Sequence, residues 1–318
     1  MRRTFLKVVY SSLEYKRRLV CVGMATVVSA FLSACAVLSP QPDAVPGKPV
    51  TPPVVSKPVP KPPRIGLALG GGAARGFAHI GVLQVLEEQG IKPDIVVGTS
   101  AGSVVATLYA SGKTPAELSQ MAMSLDESSI TDWVFPGRSI LKGEALAKFV
   151  RTATNGRQIE NMKLPLGIVS ADLQNGQPIL FRRGDPGVAV RASSAVPGVF
   201  EPVKIAGREY IDGGVVSPVP VRFAKQMGAD VIIAVDISAI PEGQPTKGAL
   251  DILMQTFNIM GHSISQFELA DADVVMRPKL EGVGSAEFSA RRLSILAGRE
   301  AALMVLPQLK ERIAQKTR

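Results

Sequence analysis

Apolar residues in positions 64–318 fall into short blocks that end on glycine, separated by longer stretches with helical spacing. Ile65–Leu69 runs into Gly70-Gly71-Gly72, and Ile95-Val96-Val97 runs into Gly98. Both read as strands buried on two faces that stop at tight turns. Val231–Val235 is the strongest such block, with no polar residue in it. Arg75–Gln89 is apolar nearly all round in its first half (Phe77, Ala78, Ile80, Val82, Leu83), the mark of a helix inside the core. A further helix is predicted over Ala101–Ala110. Thr114-Pro115-Ala116-Glu117 joins a capping box to a proline at the first helical position, so another helix starts there. Two hairpins are predicted: Leu166–Val169 with Pro178–Phe181 across Asn175-Gly176, and Lys204–Ile205 with Glu209–Ile211 across Ala206-Gly207. Pro218–Met227, Ala249–Ala270 and Arg291–Arg312 complete the predicted helices. Doubly buried strands alternating with helices predict one α/β domain, a mostly parallel sheet with helices on both faces.

The first 63 residues follow another pattern. Residues 1–18 are basic and residues 19–33 are apolar or small, the layout of a signal peptide. The apolar stretch is about 15 residues long, too short for a comfortable membrane span. It ends in Leu32-Ser33-Ala34-Cys35, which resembles a bacterial lipobox, whose cysteine is lipidated and becomes the mature N-terminus. Ala36 follows, and in such lipoproteins that residue implies sorting to the outer membrane. Residues 40–63 hold ten of the chain's 24 prolines, a composition that favours extended polyproline II and packs no core. The expected organisation is therefore a signal peptide over 1–34, a lipidated Cys35 with a proline-rich spacer over 35–63, and a folded domain over 64–318. Such a chain is expected in the bacterial cell envelope, anchored by its lipid at the outer membrane and facing the periplasm.

Composition narrows the chemistry. At 46% hydrophobic residues the chain fills a sizeable core. The net charge of +9 suggests nucleic acid until its distribution is read: residues 1–34 carry six basic side chains against Glu14, and residues 35–63 carry three against Asp43. Only +2 is left for residues 64–318, and with four Tyr and one Trp in the whole chain, stacking platforms are scarce. No nucleic-acid partner is expected. The only cysteines, Cys21 and Cys35, precede the domain, which excludes a disulfide, a cysteine nucleophile and a thiolate metal site from it. His79 and His262 are too few for an ordinary zinc site, so no metal and no cofactor are expected. Thr131-Asp132-Trp133-Val134-Phe135 reads as core, with a lipid-contacting lid as the alternative.

Three motifs carry candidate chemistry. Gly98-Thr99-Ser100-Ala101-Gly102 is a G-x-S-x-G at a strand-to-helix junction, where a sharp turn lifts the serine clear of the backbone and the following helix aims its positive end at a developing anion. An N-capping serine between small packing residues is the plainer alternative. Gly70–Gly76 is not a dinucleotide loop, because Arg75 stands where the third glycine belongs, and it lacks the Gly-Lys-Ser/Thr of a P-loop. Its bare backbone N–H groups suit an oxyanion hole, or simply a turn. Asp212-Gly213-Gly214 follows the strand Glu209–Ile211 and presents an aspartate within possible reach of a serine, although Asp-Gly is also a common turn.

Taken in order, these motifs resemble the patatin-like phospholipase family. The resemblance rests on Gly70–Gly76 with Arg75, Ala78-His79-Ile80-Gly81-Val82-Leu83, Gly98–Gly102, Ala192-Ser193 with Pro197 and Phe200, and Asp212-Gly213-Gly214. It covers about Arg64 to Pro278 and is closest to the bacterial branch. It implies a three-layer α/β sandwich and metal-free hydrolysis of acyl esters in phospholipids or lysophospholipids through an acyl-Ser100 intermediate. Ser100 is the implied nucleophile and Asp212 its base, with Gly70, Gly71 and Gly72 around the oxyanion. Arg75, Gly76, Gly98, Gly102, Gly213 and Gly214 are the implied motif support. Membrane lipids are then both substrate and anchor. Two other readings stand beside it. Ser100, Asp212 and His262 occur in the Ser…Asp…His order of an α/β-hydrolase triad, though His262 falls within a predicted helix. A non-catalytic envelope binding module is the third.

Overall fold

The structure is a computed structural model and describes residues 61–132, 139–242, 246–284 and 287–318, all within one compact unit. The predicted leader, Cys35, nearly all of the spacer, and Trp133, Val134 and Phe135 lie outside the described residues. Strands β1 (Ile65–Leu69), β2 (Ile95–Thr99), β3 (Leu166–Asp172), β4 (Pro178–Phe181), β5 (Val203–Ile205), β6 (Arg208–Asp212), β7 (Val231–Val235) and β8 (Val274–Met276) form one sheet. Its order is β5-β6-β3-β2-β1-β7-β8, with β4 hydrogen-bonded to β3. The five strands β3-β2-β1-β7-β8 are parallel, and both predicted hairpins are antiparallel pairs, β3–β4 and β5–β6.

The helices are α1 (Ala78–Glu88), α2 (Ala101–Ala110), α3 (Pro115–Ser124), α4 (Glu144–Ala153), α5 (Pro186–Ser193), α6 (Val221–Gln226), α7 (Ala249–Leu269) and α8 (Arg291–Lys316). The capping box at Thr114 is formed from both sides, Glu117 N–H to the threonine hydroxyl and Thr114 N–H to the glutamate. Two boundaries differ from the prediction. The helix expected from Arg75 opens as a 3₁₀ turn over Ala73–Phe77. The helix expected from Pro218 starts at Val221, because Pro218 and Pro220 hold the preceding residues out of the helical region. Helices α4 and α5 and the three-residue β8 were not predicted. For α5 a signal was present, since Asp185 caps it through the amides of Gly187 and Val188 and Pro186 opens it.

Alternate residues of the central strands feed two cores. Leu67, Leu69, Val96, Ile168, Ile233 and Val235 face α1, α2, α3 and α8, whereas Ala68, Val97, Val169, Ile232 and Ala234 face α6 and the end of α7. The sheet is therefore sandwiched between two helical layers, and the loops at the carboxyl ends of β1, β2 and β7 meet in the crevice where ligands of such sheets bind. The thicker layer depends on a close crossing of α1 and α8. A Cβ on Gly298 would lie 1.9 Å from the Ala78 carbonyl oxygen, and one on Gly81 would lie 1.9 Å from that of Ile295. Gly298→Ala is expected to cost about 1–3 kcal/mol by forcing the two helices apart. Urea denaturation measures it, and an unchanged midpoint would contradict the crossing.

Candidate active site

The site is built at the end of β2. Ser100 has φ 52° and ψ −125°, a positive φ on a residue with a side chain. Such a conformation costs about 1–3 kcal/mol and persists only where the surroundings over-determine it. Here the Ser100 N–H donates to Ser193 Oγ at 2.9 Å, and Ser193 Oγ in turn donates to the Val169 carbonyl. The Ser100 carbonyl accepts from Ser103 Oγ at 2.6 Å, and Thr99 Oγ1 donates to the Ser217 carbonyl at 2.8 Å. The flanking glycines make room rather than supplying the strained angle. A Cβ on Gly98 would sit 2.4 Å from the Gly102 oxygen, and one on Gly102 would sit 2.1 Å from the Leu69 oxygen. Only bare backbone lets β1, β2 and α2 approach this closely.

Asp212 ends β6, whose residues 210–212 pair with β3. It is 1% exposed. Its Oδ1 accepts the Gly214 N–H at 2.7 Å, and its own N–H donates to the Ala195 carbonyl at 2.9 Å. Gly213 lets the turn pass beneath β3, since a Cβ there would meet the Val169 oxygen at 2.4 Å. Burial raises the Asp212 pKa to about 6, against the pull of the Ser100 hydroxyl and the Gly214 amide. The Ser100 hydroxyl is close enough to exert that pull, yet Oδ2 accepts no fully formed hydrogen bond among the described residues. Oδ1 is thus committed to the Gly214 amide and Oδ2 is the carboxylate oxygen left without a partner among the described residues.

The glycine loop lies against the serine, and a Cβ on Gly71 would come within 3.1 Å of Ser100 Cβ. Two of its amides are not available to an oxyanion. The Gly70 N–H donates to the Val235 carbonyl at 3.0 Å and the Gly71 N–H to the Pro218 carbonyl at 2.9 Å. This corrects the expectation for those two glycines as donors: they tie the loop to the sheet and to the turn after Asp212. The amides of Gly72 and Ala73 have no such partner among the described residues, and both residues line the cavity. Arg75, 7% exposed, donates its Nε to the Gly72 carbonyl at 3.2 Å; burial lowers its pKa to about 10 while Asp236 opposes the shift. His79, fully buried, donates Nε2–H to the Gly70 carbonyl at 2.8 Å, and desolvation depresses its pKa to about 4, so it is neutral. Gly76 admits Ala101, whose Cβ would stand 2.9 Å from an added one.

Ser100, Asp212, Gly71, Gly72, Arg75 and Gly214 share a cavity of about 120 Å³ whose other wall is α7, through Met254, Phe257, Asn258, Gly261 and His262. His262 accepts a hydrogen bond from the Gln266 amide at its Nε2, 2.9 Å, and makes none to Ser100 or Asp212. Sequence reasoning missed Ser193 as the partner of the elbow amide, although Ala192-Ser193 stood out as a motif. It also missed Glu268, whose two carboxylate oxygens each lie 2.8 Å from Ser217 Oγ and whose Oε1 pairs with Arg222 at 2.9 Å. Burial raises the Glu268 pKa to about 7, opposed by Ser217 and Arg222. No local pattern marks a glutamate at the end of a helix for such a role. Among the described residues, no group of three His, Cys, Asp or Glu side chains is arranged to hold a metal ion.

A profile of patatin-like phospholipases matches residues 67–225, from β1 through the elbow and the Asp-Gly-Gly turn into α6. The chain belongs to the patatin-like phospholipase family. An uncharacterised NTE family protein of Mycobacterium tuberculosis strain H37Rv is 36% identical over 206 residues, 64% of this chain and 57% of that protein. Human patatin-like phospholipase domain-containing protein 6 is 34% identical over 186 residues, 56% of this chain and 14% of that protein. The chain therefore spans little more than half the length of the first relative and a small part of the second. VipD from Legionella pneumophila has the same fold, with a TM-score of 0.52 at 14% identity over 80% of this chain and 68% of that one. The sheet between two helical layers is thus the patatin-like α/β sandwich, and α7 and α8 lie beyond the part that the family profile matches.

In this patatin-like site the buried carboxylate opposes stability. The folded pKa of Asp212 is about 6 against 3.8 for an ordinary aspartate, so folding favours the protonated form. Its full stability is present below pH 3.8 and falls as pH rises to about 6, a loss of roughly 3 kcal/mol from 1.36 kcal/mol per unit. Asp212→Asn is accordingly expected to be more stable than the parent above pH 6 and equal to it near pH 3. Denaturant titrations at the two pH values measure the difference, and a less stable variant at pH 8 contradicts it.

Proposed function

We propose that the chain is a serine acyl hydrolase that cleaves carboxylic esters of phospholipids or lysophospholipids through an acyl-Ser100 intermediate, with Asp212 as base. The single observation that carries this reading is a cavity lined by both Ser100, on its strained backbone, and the buried Asp212, whose carboxyl feels the serine hydroxyl. As Ser100 Oγ attacks the ester carbonyl carbon, Asp212 takes its proton. The raised pKa makes the carboxylate a better acceptor than a solvated aspartate. Negative charge on the carbonyl oxygen is met by the N–H groups of Gly72 and Ala73 and by the amide of Ala101 at the start of α2, whose positive helix end points at the same place. Collapse of the tetrahedral intermediate expels the alcohol, which takes the proton from Asp212. Water then repeats the sequence on the acyl-serine, with Asp212 again as base. Arg75 and His79 hold the glycine loop in shape. Fungal relatives named lysophospholipase, 34% identical over 187 residues in Coccidioides immitis, support the choice of substrate class.

The dyad is favoured over a triad because the His262 ring is engaged by Gln266 and bonds neither to Ser100 nor to Asp212. Lipidation at Cys35 and residence in the bacterial envelope, with the domain tethered by the proline-rich spacer, belong to the same proposal and rest on the sequence of the first 63 residues.

A fluorophosphonate probe is expected to label the parent and not Ser100→Ala; an unlabelled parent favours a binding module. Asp212→Ala should lower kcat on lysophospholipid by about 10²–10⁴-fold. His262→Ala should retain most activity, and its inactivation would revive the triad. Because the carboxylate is the working form, kcat/KM should rise with pH through an apparent pKa of about 6. A flat profile from about pH 5 to about pH 7 contradicts the assignment of the base.

A further inference from the structure

Helix α7 carries large apolar residues on both its inner and its outer side. One side lines the cavity with Met254, Phe257, Gly261 and His262. The opposite side is exposed and carries Ile252, Leu253, Ile259, Met260 and Phe267, the last of them 83% exposed, with Thr256 and Ser263 between them. These positions recur at helical spacing, so they form one stripe, about 22 Å long from Ile252 to Phe267. No exposed residue of α7 is charged. The helix has two acidic residues, and both are turned to other uses: Asp251 caps the Gly248 N–H, and Glu268 is held by Ser217 and Arg222.

We propose that this uncharged outer face of α7 docks on a phospholipid bilayer, seated at the boundary of headgroups and acyl chains, with the helix as the wall between the membrane and the cavity. Three observations favour that occupant. The stripe is one helix wide, about 10 Å by about 22 Å, and offers far fewer side chains than the roughly 20–30 residues per partner of a stable protein interface. An exposed cation, Lys247, uncompensated among the described residues, stands just before the helix, where a lipid phosphate would lie, while Arg222 and Lys225 behind it are engaged by Glu268 and Asp271. The chain preceding Lys61 supplies an expected anchor at Cys35 and a spacer of about 80 Å at roughly 3.1 Å per residue, enough to turn this face to the membrane that holds it. The choice of lipid as substrate rests on the acyl hydrolase reading; the docking itself does not.

The test has two arms. In a full-length Cys21→Ser/Cys35→Ser chain, an environment-sensitive fluorophore is attached at Met260→Cys or, as a control, at Lys92→Cys at the other end of the sheet. On phosphatidylcholine vesicles brominated in the acyl chains, emission at position 260 is expected to be quenched and emission at 92 to persist; equal behaviour at the two positions overturns the docking. In the otherwise unaltered chain, Ile259→Glu/Met260→Glu/Phe267→Glu is expected to lower hydrolysis of vesicular phospholipid about tenfold or more while leaving a soluble short-chain ester within about twofold. Equal loss on both substrates, or no loss on either, overturns it. A dimer that the triple substitution dissociates assigns the face to a second copy and also overturns it. If the parent turns over neither substrate, the hydrolase reading fails while the quenching arm still decides the docking.

Discussion

The whole site depends on one backbone torsion, the positive φ of Ser100. A side chain in that region is held there only by bonds that a relaxed turn would lose. Three hydroxyls supply them: Ser193 on the Ser100 amide, Ser103 on its carbonyl and Thr99 on the Ser217 carbonyl. Each comes from a different part of the fold or from the turn itself, so the elbow is fixed only when α5, α2 and the loop after β6 are all in position. Glycines at 98 and 102 let those elements close in; they do not relieve the strain.

The same closeness determines which backbone amides are free. Gly70 and Gly71 are tied to β7 and to the Pro218 carbonyl, and among the described residues the next two amides, those of the cavity-lining Gly72 and Ala73, have no such partner. His79 and Arg75 hold the loop's carbonyls at its two ends, at Gly70 and Gly72. A loop fastened at both ends holds its two unbonded amides, those of Gly72 and Ala73, in fixed positions, which is the preorganisation that stabilisation of a developing oxyanion requires.

Much of this was legible in the sequence because it is local. Glycine-terminated apolar blocks mark strands that enter tight turns, and β1, β2 and β7 follow the predicted boundaries within two residues. The proximity of Ser100 to Asp212 was legible only through the order of motifs, since 112 positions separate the two numbers and no periodicity spans them. The availability of individual amides was not legible at all. It depends on where Val235 and Pro218 send their carbonyls, which is a property of sheet order. Helix α4 is strongly amphipathic, with Ala147 and Val150 turned inward, so its pattern was there to be read; the three-residue β8 was too short to stand out, and Glu268 acquires its partners only when the end of α7 packs beside the turn after Asp212.

That last contact joins two parts that a reader of the topology would treat separately. Glu268 grips the Ser217 hydroxyl, the carbonyl of the same residue receives Thr99, and the carbonyl of Pro218 receives Gly71. The outer wall of the cavity and the seat of the nucleophile are therefore one mechanical piece. A force that tilts the tail of α7 is delivered, through a single serine and the proline after it, to the end of β2 and to the glycine loop together.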